Sequence, residues 1–147
     1  MNHIKSLILL FLSSLLLSTG VACSTDGPQA IRYGQDQCIY CKMTISDPRF
    51  GTQIVTHKGR AFNFDDLQCM IAFIQAGDVD QADIKEVYLP DYSNEHVLLP
   101  ARDMILLKSE SLKSPMRGDI AAFSNQTDLD EARKIHGGEV LTWDDLF

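Results

Sequence analysis

The sequence lacks the short motifs that identify many enzymes. It has no Gly-rich phosphate loop, no H-E-x-x-H zinc motif and no pattern that indicates a Ser/His/Asp triad. Basic residues are scarce, since 13 Lys and Arg stand against 20 Asp and Glu, and the formal net charge is −7. An acidic surface disfavours nucleic acids and anionic lipid surfaces as partners. These absences favour a binding protein over an enzyme.

Long apolar runs are also missing, apart from one near the start. Lys5 precedes an apolar run at residues 7–17, and small residues then lead to Cys23. The run is too short to span a bilayer and is typical of a secretory signal. The stretch 18–23 resembles a bacterial lipobox, so we predict a lipoprotein signal peptide over residues 1–22 and lipidation of Cys23. The alternative is an ordinary secreted protein in which Cys23 has no special role.

A lipidated Cys23 would place the protein outside the cytoplasm, anchored to a membrane and facing the periplasm, in the inner or the outer membrane. The remaining chain of about 125 residues is long enough for one compact domain. Its first part is rich in Gly, Pro and small polar residues, so residues 23–35 are predicted to be the lipidated cysteine and a flexible tether. Residues 36–147 are predicted to form the domain.

Hydrophobic periodicity predicts that this domain has an α+β fold made of two similar units. Each unit reads strand, strand, helix, strand, and a faint likeness between them indicates an ancient duplication. Residues 108–117 are predicted to be a mobile loop. The first unit has strands at 51–55, 60–64 and 86–89 and a helix from Asp65 to about residue 75. The second has strands at 103–108, 119–123 and 139–143 and a helix, capped by Thr127 or Asp128, that ends at His136.

A cluster of sulfur-bearing side chains is the most informative motif. Cys38, Cys41 and Met43 lie within six residues. Thiolate and thioether sulfurs are soft donors that suit Cu(I) better than Mg²⁺, Ca²⁺ or Mn²⁺. Cys41 and Met43 are two residues apart, so they point to the same side of an extended segment. The motif predicts a soft-metal site.

The number of cysteines disfavours a disulfide framework. With Cys23 lipidated, Cys38, Cys41 and Cys69 remain, and three thiols cannot all pair within one chain. Cys38 has three alternative roles: a metal ligand, a redox partner of Cys41, or part of a zinc site. A lone C-x-x-C is weak evidence for zinc, and the residues after it are a poor helix start for a thioredoxin-like motif. Cys69 lies within the first predicted helix, where a buried, inert thiol is expected.

Several segments in order resemble the NosL family of copper-binding lipoproteins, which are accessory factors of nitrous oxide reductase. They are the lipobox and residues 38–45, 59–66, 114–116 and 136–141. The resemblance implies a fold of two strand–strand–helix–strand units and delivery of Cu(I) to the copper–sulfide centre of the reductase. By position, Cys41 and Met43 match the copper-binding Cys and Met of the family, and Met116 matches a Met in its Ser/Gly-Pro-Met stretch. Lys42 departs from the family pattern, where many members have Gly.

From the sequence alone, the third copper ligand and the activity each have more than one candidate. The third copper ligand is Met116, Cys38, His57 or water, although His57 is by default an exposed turn residue. The competing function is a thiol oxidoreductase that uses Cys38 and Cys41. A third reading is a structural or sensory lipoprotein that binds no metal.

Overall fold

The computed structural model describes residues 27–147. The predicted signal peptide and the lipidation site Cys23 lie outside these residues, so both stay predictions. Within the described part, no helix has the length and apolar character needed to cross a membrane. The helices and strands in chain order are β1 (Thr52–Thr56), β2 (Ala61–Phe64), α1 (Leu67–Gln75), β3 (Ile84–Pro90), β4 (Leu98–Pro100), β5 (Ile105–Lys108), β6 (Ile120–Phe123), α2 (Gln126–His136) and β7 (Glu139–Leu141).

The strands form two antiparallel sheets, one from each half of the chain. The first has the order β2-β1-β3-β4 and the second the order β6-β5-β7. In both, the first strand of the unit lies between the second strand and the strand that follows the helix. This confirms the predicted α+β fold of two strand–strand–helix–strand units. Strand β4 is an addition that the sequence pattern did not predict, β3 is longer than predicted, and β7 is shorter because Trp143 begins a 3₁₀ turn.

The first unit buries its apolar face between β2 and α1. Phe62 and Phe64 alternate along β2, so both side chains point to one side of the sheet. Their ring centroids lie 5.3 Å and 5.2 Å from that of Phe73 on α1. The predicted apolar stripe of the helix is buried and consists of Leu67, Met70, Ile71 and Ile74.

Both helices begin at a different cap from the one predicted. Asp66, not Asp65, caps α1, and its side chain accepts a hydrogen bond from the backbone N–H three residues later. Asn125, rather than Thr127 or Asp128, caps α2 in the same way. The first backbone N–H groups of a helix have no partner within the helix, and the capping side chain has to reach one of them. The buried apolar stripe sets where the helix begins, and this decides which of several suitable residues becomes the cap.

The domain begins earlier than the predicted boundary at residue 36. The Gln29 N–H donates to Gln53 Oε1 over 2.7 Å, and Gln53 Nε2 donates to the Gln29 carbonyl over 2.9 Å. Ile31 is buried. The part of the predicted tether at residues 29–35 therefore packs on the domain, because Ile31 supplies apolar surface and Gln53 satisfies the backbone polar groups.

The loop at residues 108–117, predicted to be mobile, is packed at both ends. Leu112 and Ser114 are buried, and the Ser109 hydroxyl donates to the carbonyl of His136 over 2.7 Å. At the other end, Gly118 lies against α1, where a Cβ atom would stand 2.9 Å from the Cβ of Gln68. The loop of the second unit therefore rests on the helix of the first.

We predict that Gly118→Ala destabilises the domain by about 1–3 kcal/mol, because the added methyl group forces the loop away from α1. Urea unfolding measures the change. Gly27→Ala is the control, since no atom lies within 4 Å of its added Cβ, and it should change stability by no more than about 0.5 kcal/mol. Equal stability of the two variants would show that the loop does not press on the helix.

Candidate metal centre

The C-x-x-C motif forms a tight turn and does not open a helix. The Cys38 N–H donates to the Met43 carbonyl over 2.8 Å, and the Lys42 N–H donates to the Cys38 carbonyl over 3.0 Å. The Ile39 N–H donates to the Asn63 carbonyl over 2.9 Å, which fastens the turn to β2. The chain thus doubles back within six residues and holds Cys38 and Cys41 on one small loop.

The turn depends on an unusual backbone conformation at Lys42. Its φ is 64°, in the left-handed region that costs an L-residue about 1–2 kcal/mol and that glycine adopts freely. The extended geometry predicted from Cys41 to Met43 is therefore wrong. Glycine at this position would avoid that backbone cost.

Three cysteine sulfurs meet beside this turn. The Sγ atoms of Cys38, Cys41 and Cys69 all lie within 4.8 Å of one another. All three thiols are free; Cys38 and Cys69 are buried, whereas Cys41 is half-buried. The turn supplies the first two, and the first turn of α1 supplies the third. This distance is short enough for one metal ion to contact all three sulfurs after a small adjustment.

Burial raises the pKa of two of these thiols, those of Cys41 and Cys69. Loss of solvent raises the pKa of Cys69 far above its usual range, and the neighbouring Cys38 and Cys41 raise it further. Burial also raises the pKa of Cys41, although the backbone N–H of Met43, which donates to its sulfur, partly opposes this. The N-terminus of α1 would favour an anionic sulfur, but burial outweighs it. A metal ion therefore has to displace protons when it binds here.

The structure places the two predicted methionines in the cysteine turn and in the loop after β5, and it leaves His57 away from the cluster. Met43 directly follows the turn with 55% of its surface exposed. Met116 is half-buried and packs against the same apolar core as Cys41. His57 is exposed in the β1–β2 turn, whereas Cys69 follows the opposite end of β2. Among the described residues, only the three cysteines form a group of potential metal-binding Cys, His, Asp and Glu side chains.

A single buried carboxylate joins α1 to the loop that carries Met116. Asp66 Oδ1 accepts the hydrogen bond of the Cys69 N–H over 3.2 Å. Its Oδ2 accepts the Ser114 hydroxyl over 2.7 Å and the Met116 N–H over 3.0 Å. The residue that fixes the backbone at Cys69 also fixes the backbone at Met116.

Cys69 and Asp66 are the site residues that the sequence interpretation missed. Cys69 was expected to be inert because it lies slightly off the apolar stripe of its helix. The available signal was that three cysteines remain once Cys23 is lipidated, so that one thiol has no disulfide partner. Asp66 carried no signal of its own, because Asp65 beside it is an equally good capping residue by type.

The fold and the site define a class of protein: a small α+β domain of two related units with a sulfur-lined candidate metal centre where the helix of the first unit meets the loop of the second. The family model named NosL matches residues 30–147. The chain belongs to the NosL family, as the resemblance predicted. The crystal structure of the copper chaperone NosL from Shewanella denitrificans is similar to this chain, with a TM-score of 0.68 and 23% sequence identity, and the match covers 81% of this chain and 94% of that chain. No curated protein matches the sequence.

The two neighbouring aspartates are predicted to respond in opposite ways to substitution by asparagine. Asp66→Asn should lower the free energy of unfolding by about 2–3 kcal/mol, because its new amide donors face the donors of Cys69, Ser114 or Met116 in a buried place. Asp65 is also buried, but its Oδ1 lacks a hydrogen-bond partner. Burial, and then the charges of Asp66 and Asp47, raise the pKa of Asp65. Asp65→Asn should therefore raise stability at pH 7.

The pH dependence of this pair follows from the sign of the shift. A carboxyl group whose pKa is raised on folding contributes stability at low pH, and this contribution is lost as the pH rises through the raised value. The advantage of Asp65→Asn over the wild type should accordingly shrink as the pH falls towards 4. Urea unfolding at several pH values measures it. An advantage that stays constant with pH would contradict the assignment of a raised pKa to Asp65.

Proposed function

We propose that this protein is an exported metallochaperone that binds one Cu(I) ion and delivers it to nitrous oxide reductase for assembly of its copper–sulfide centre. The observation that carries the proposal is the sulfur cluster, in a chain that belongs to the NosL family. Three cysteine sulfurs within 4.8 Å, with Met43 two residues after Cys41, are a donor set that favours Cu(I) over hard cations. The similar solved structure is that of a copper chaperone.

The assigned ligands are Cys41 and Met43, with Met116 and Cys38 completing the set. Cys41 is the half-buried cysteine, so an acceptor's ligand has access to its side of the site. Met43 is the most exposed of the sulfur-bearing residues in the turn. An ion held by these two residues is bound by soft donors, yet an incoming ligand can approach it from solvent. A carrier needs this combination, whereas a closed structural site does not.

Lipidation of Cys23 would hold this carrier at a membrane surface. The tether would then be short, since the chain packs on the domain from about residue 29. Anchoring raises the effective concentration of the carrier near membrane-associated partners. The lipid chains, and not the acidic protein surface, would supply the membrane affinity.

The alternative of a thiol oxidoreductase has less support. The closeness of Cys38 and Cys41 favours it. However, a reactive cysteine in such enzymes has a lowered pKa, whereas burial raises the pKa of Cys41. Cys38, which would resolve a mixed disulfide, is fully buried. We therefore propose that the protein is not an enzyme.

Copper binding is tested by anaerobic titration of the full-length, reduced protein in detergent, in competition with a Cu(I) chelator. The wild type should bind one equivalent. Cys41→Ala should bind Cu(I) at least about a hundredfold more weakly, and Met43→Ala about tenfold more weakly. Mutation of a residue that only supports a metal ligand lowers metal affinity by about 10–100-fold, and loss of the ligand itself should cost no less. His57→Ala is the control and should match the wild type. Failure of the reduced wild type to take up Cu(I) would refute the proposal.

Delivery is tested separately with copper-free nitrous oxide reductase as the acceptor. With sulfide supplied to both reactions, the copper-loaded protein should restore the absorption spectrum and activity of the reductase faster than the same amount of Cu(I) supplied as a chelate. Lys113→Ala changes an exposed residue outside the ligand set, so the copper-loaded Lys113→Ala protein is the control. It should deliver copper as the wild type does. If the chelate loads the reductase as fast as the protein does, the client assignment is wrong even though copper binding stands.

A further inference from the structure

The inner wall of the sulfur cluster contains a residue that the proposed ligand set does not use. Cys69 is 1% exposed and Cys38 is 0% exposed, so both sulfurs lie deeper than Cys41. The Sγ atom of Cys69 is within 4.8 Å of both other cysteine sulfurs. Metal–thiolate bonds of about 2.3 Å would separate the sulfurs of a trigonal site by about 4.0 Å. The cluster is therefore close to the size that a three-coordinate ion requires.

The backbone at Cys69 is held in place by a helix and by a buried carboxylate. Cys69 lies in the first turn of a regular helix, and its N–H is bonded to Asp66. The Asp66 carboxylate is itself buried and accepts two further hydrogen bonds from the loop of the second unit. A ligand on a helix whose own position is locked in this way is preorganised for metal binding.

We propose, on the basis of the function proposed above, that Cys69 is a copper ligand and that the resting Cu(I) ion is bound by the sulfurs of Cys38, Cys41 and Cys69. Met43 and Met116 are then outer ligands, which bind the ion more weakly than the cysteines and take part in its release. Cys41 belongs to both sets, because it is half-buried and lies two residues before Met43. The site is thus graded in depth from buried cysteines to an exposed methionine.

Two features reduce the electrostatic cost of this arrangement. The backbone N–H of Met43 donates to the sulfur of Cys41, and the N-terminal end of α1 directs its positive dipole towards the first turn, where Cys69 lies. A monovalent ion also loses less hydration energy than a divalent ion on entering a buried site. Release requires no redox change: Cu(I) leaves with its charge, incoming ligands replace the sulfurs, and each freed sulfur recovers a proton from solvent.

The test compares Cys69→Ala with Met104→Leu in the full-length, reduced protein. Met104 is a buried methionine outside the cysteine cluster, so its substitution removes a core sulfur at nearly constant volume. We expect Cys69→Ala to weaken Cu(I) binding by more than about tenfold, the lower limit for loss of an outer-shell partner, and to remove one sulfur neighbour from the copper X-ray absorption spectrum. Met104→Leu should leave affinity and sulfur count unchanged. Urea unfolding reports whether each variant is folded.

A second variant keeps the inference testable should Cys69→Ala fail to fold. In Met43→Ala/Met116→Ala, the bound ion should retain three sulfur neighbours, supplied by the three cysteines. A folded Cys69→Ala protein with wild-type affinity, or a sulfur count of two or fewer in the double methionine variant, would overturn the role of Cys69. If Cys41→Ala then loses copper, the proposed function still stands. If Cys41→Ala and Cys69→Ala both keep copper, the proposed ligand site and the role of Cys69 are both rejected.

Discussion

The arrangement of the site depends on the hydrogen bonds of one buried carboxylate. Asp66 accepts hydrogen bonds from the N–H groups of Cys69 and Met116 and from the hydroxyl of Ser114. Hydrogen bonds to a charged group contribute about 1.5–3 kcal/mol each, which is enough to offset the desolvation of a carboxylate that is 1% exposed. The same atoms start helix α1, hold a cysteine in its first turn and attach the loop of the second unit. The sulfur-lined site and the contact between the two units therefore have a common origin.

The two units show how one supersecondary pattern acquires a site in only one of its copies. Both helices follow a buried Phe by three residues, and both have an Asx residue as N-cap, Asp66 in α1 and Asn125 in α2. The residue three after the cap is Cys69 in the first unit and Asp128 in the second. Asp128 is solvent-accessible and accepts a hydrogen bond from the Asn94 amide over 2.7 Å. The position that is buried beside the cysteine turn carries sulfur, and its half-buried counterpart carries a carboxylate.

The order of helices and strands could be predicted from the sequence because each of them is indicated by the periodicity of its own apolar residues. Alternating Phe62 and Phe64 indicate a half-buried strand, and the stripe at Leu67, Met70 and related positions indicates an amphipathic helix. The convergence of Cys69 with Cys38 and Cys41 could not be predicted in this way. Cys69 is about thirty positions away from the other two cysteines in the chain. The three come together because the cysteine turn is hydrogen-bonded to β2 and because α1 begins just after β2. The packed segment at 29–35 was missed for the same reason, since its partner Gln53 is remote in sequence. Strand β4 pairs with the neighbouring strand β3, but its three residues are too few to show an alternating pattern.

Under the proposed function, the protonation state of the cysteines allows one domain to exist both with and without bound copper. Three thiolates within 4.8 Å would repel one another strongly in a buried place. Because burial raises the pKa of Cys41 and Cys69, the metal-free domain holds these two as neutral thiols, which pack like other small apolar side chains. Entry of Cu(I) displaces the thiol protons, and because three thiolates outweigh one monovalent cation, the loaded cluster carries net negative charge. The metal–sulfur bonds spread this charge over the three sulfurs, and the Met43 N–H and the N-terminus of α1 reduce its cost. In the proposed carrier the domain folds before it is loaded, and protonated Cys41 and Cys69 are compatible with that metal-free state.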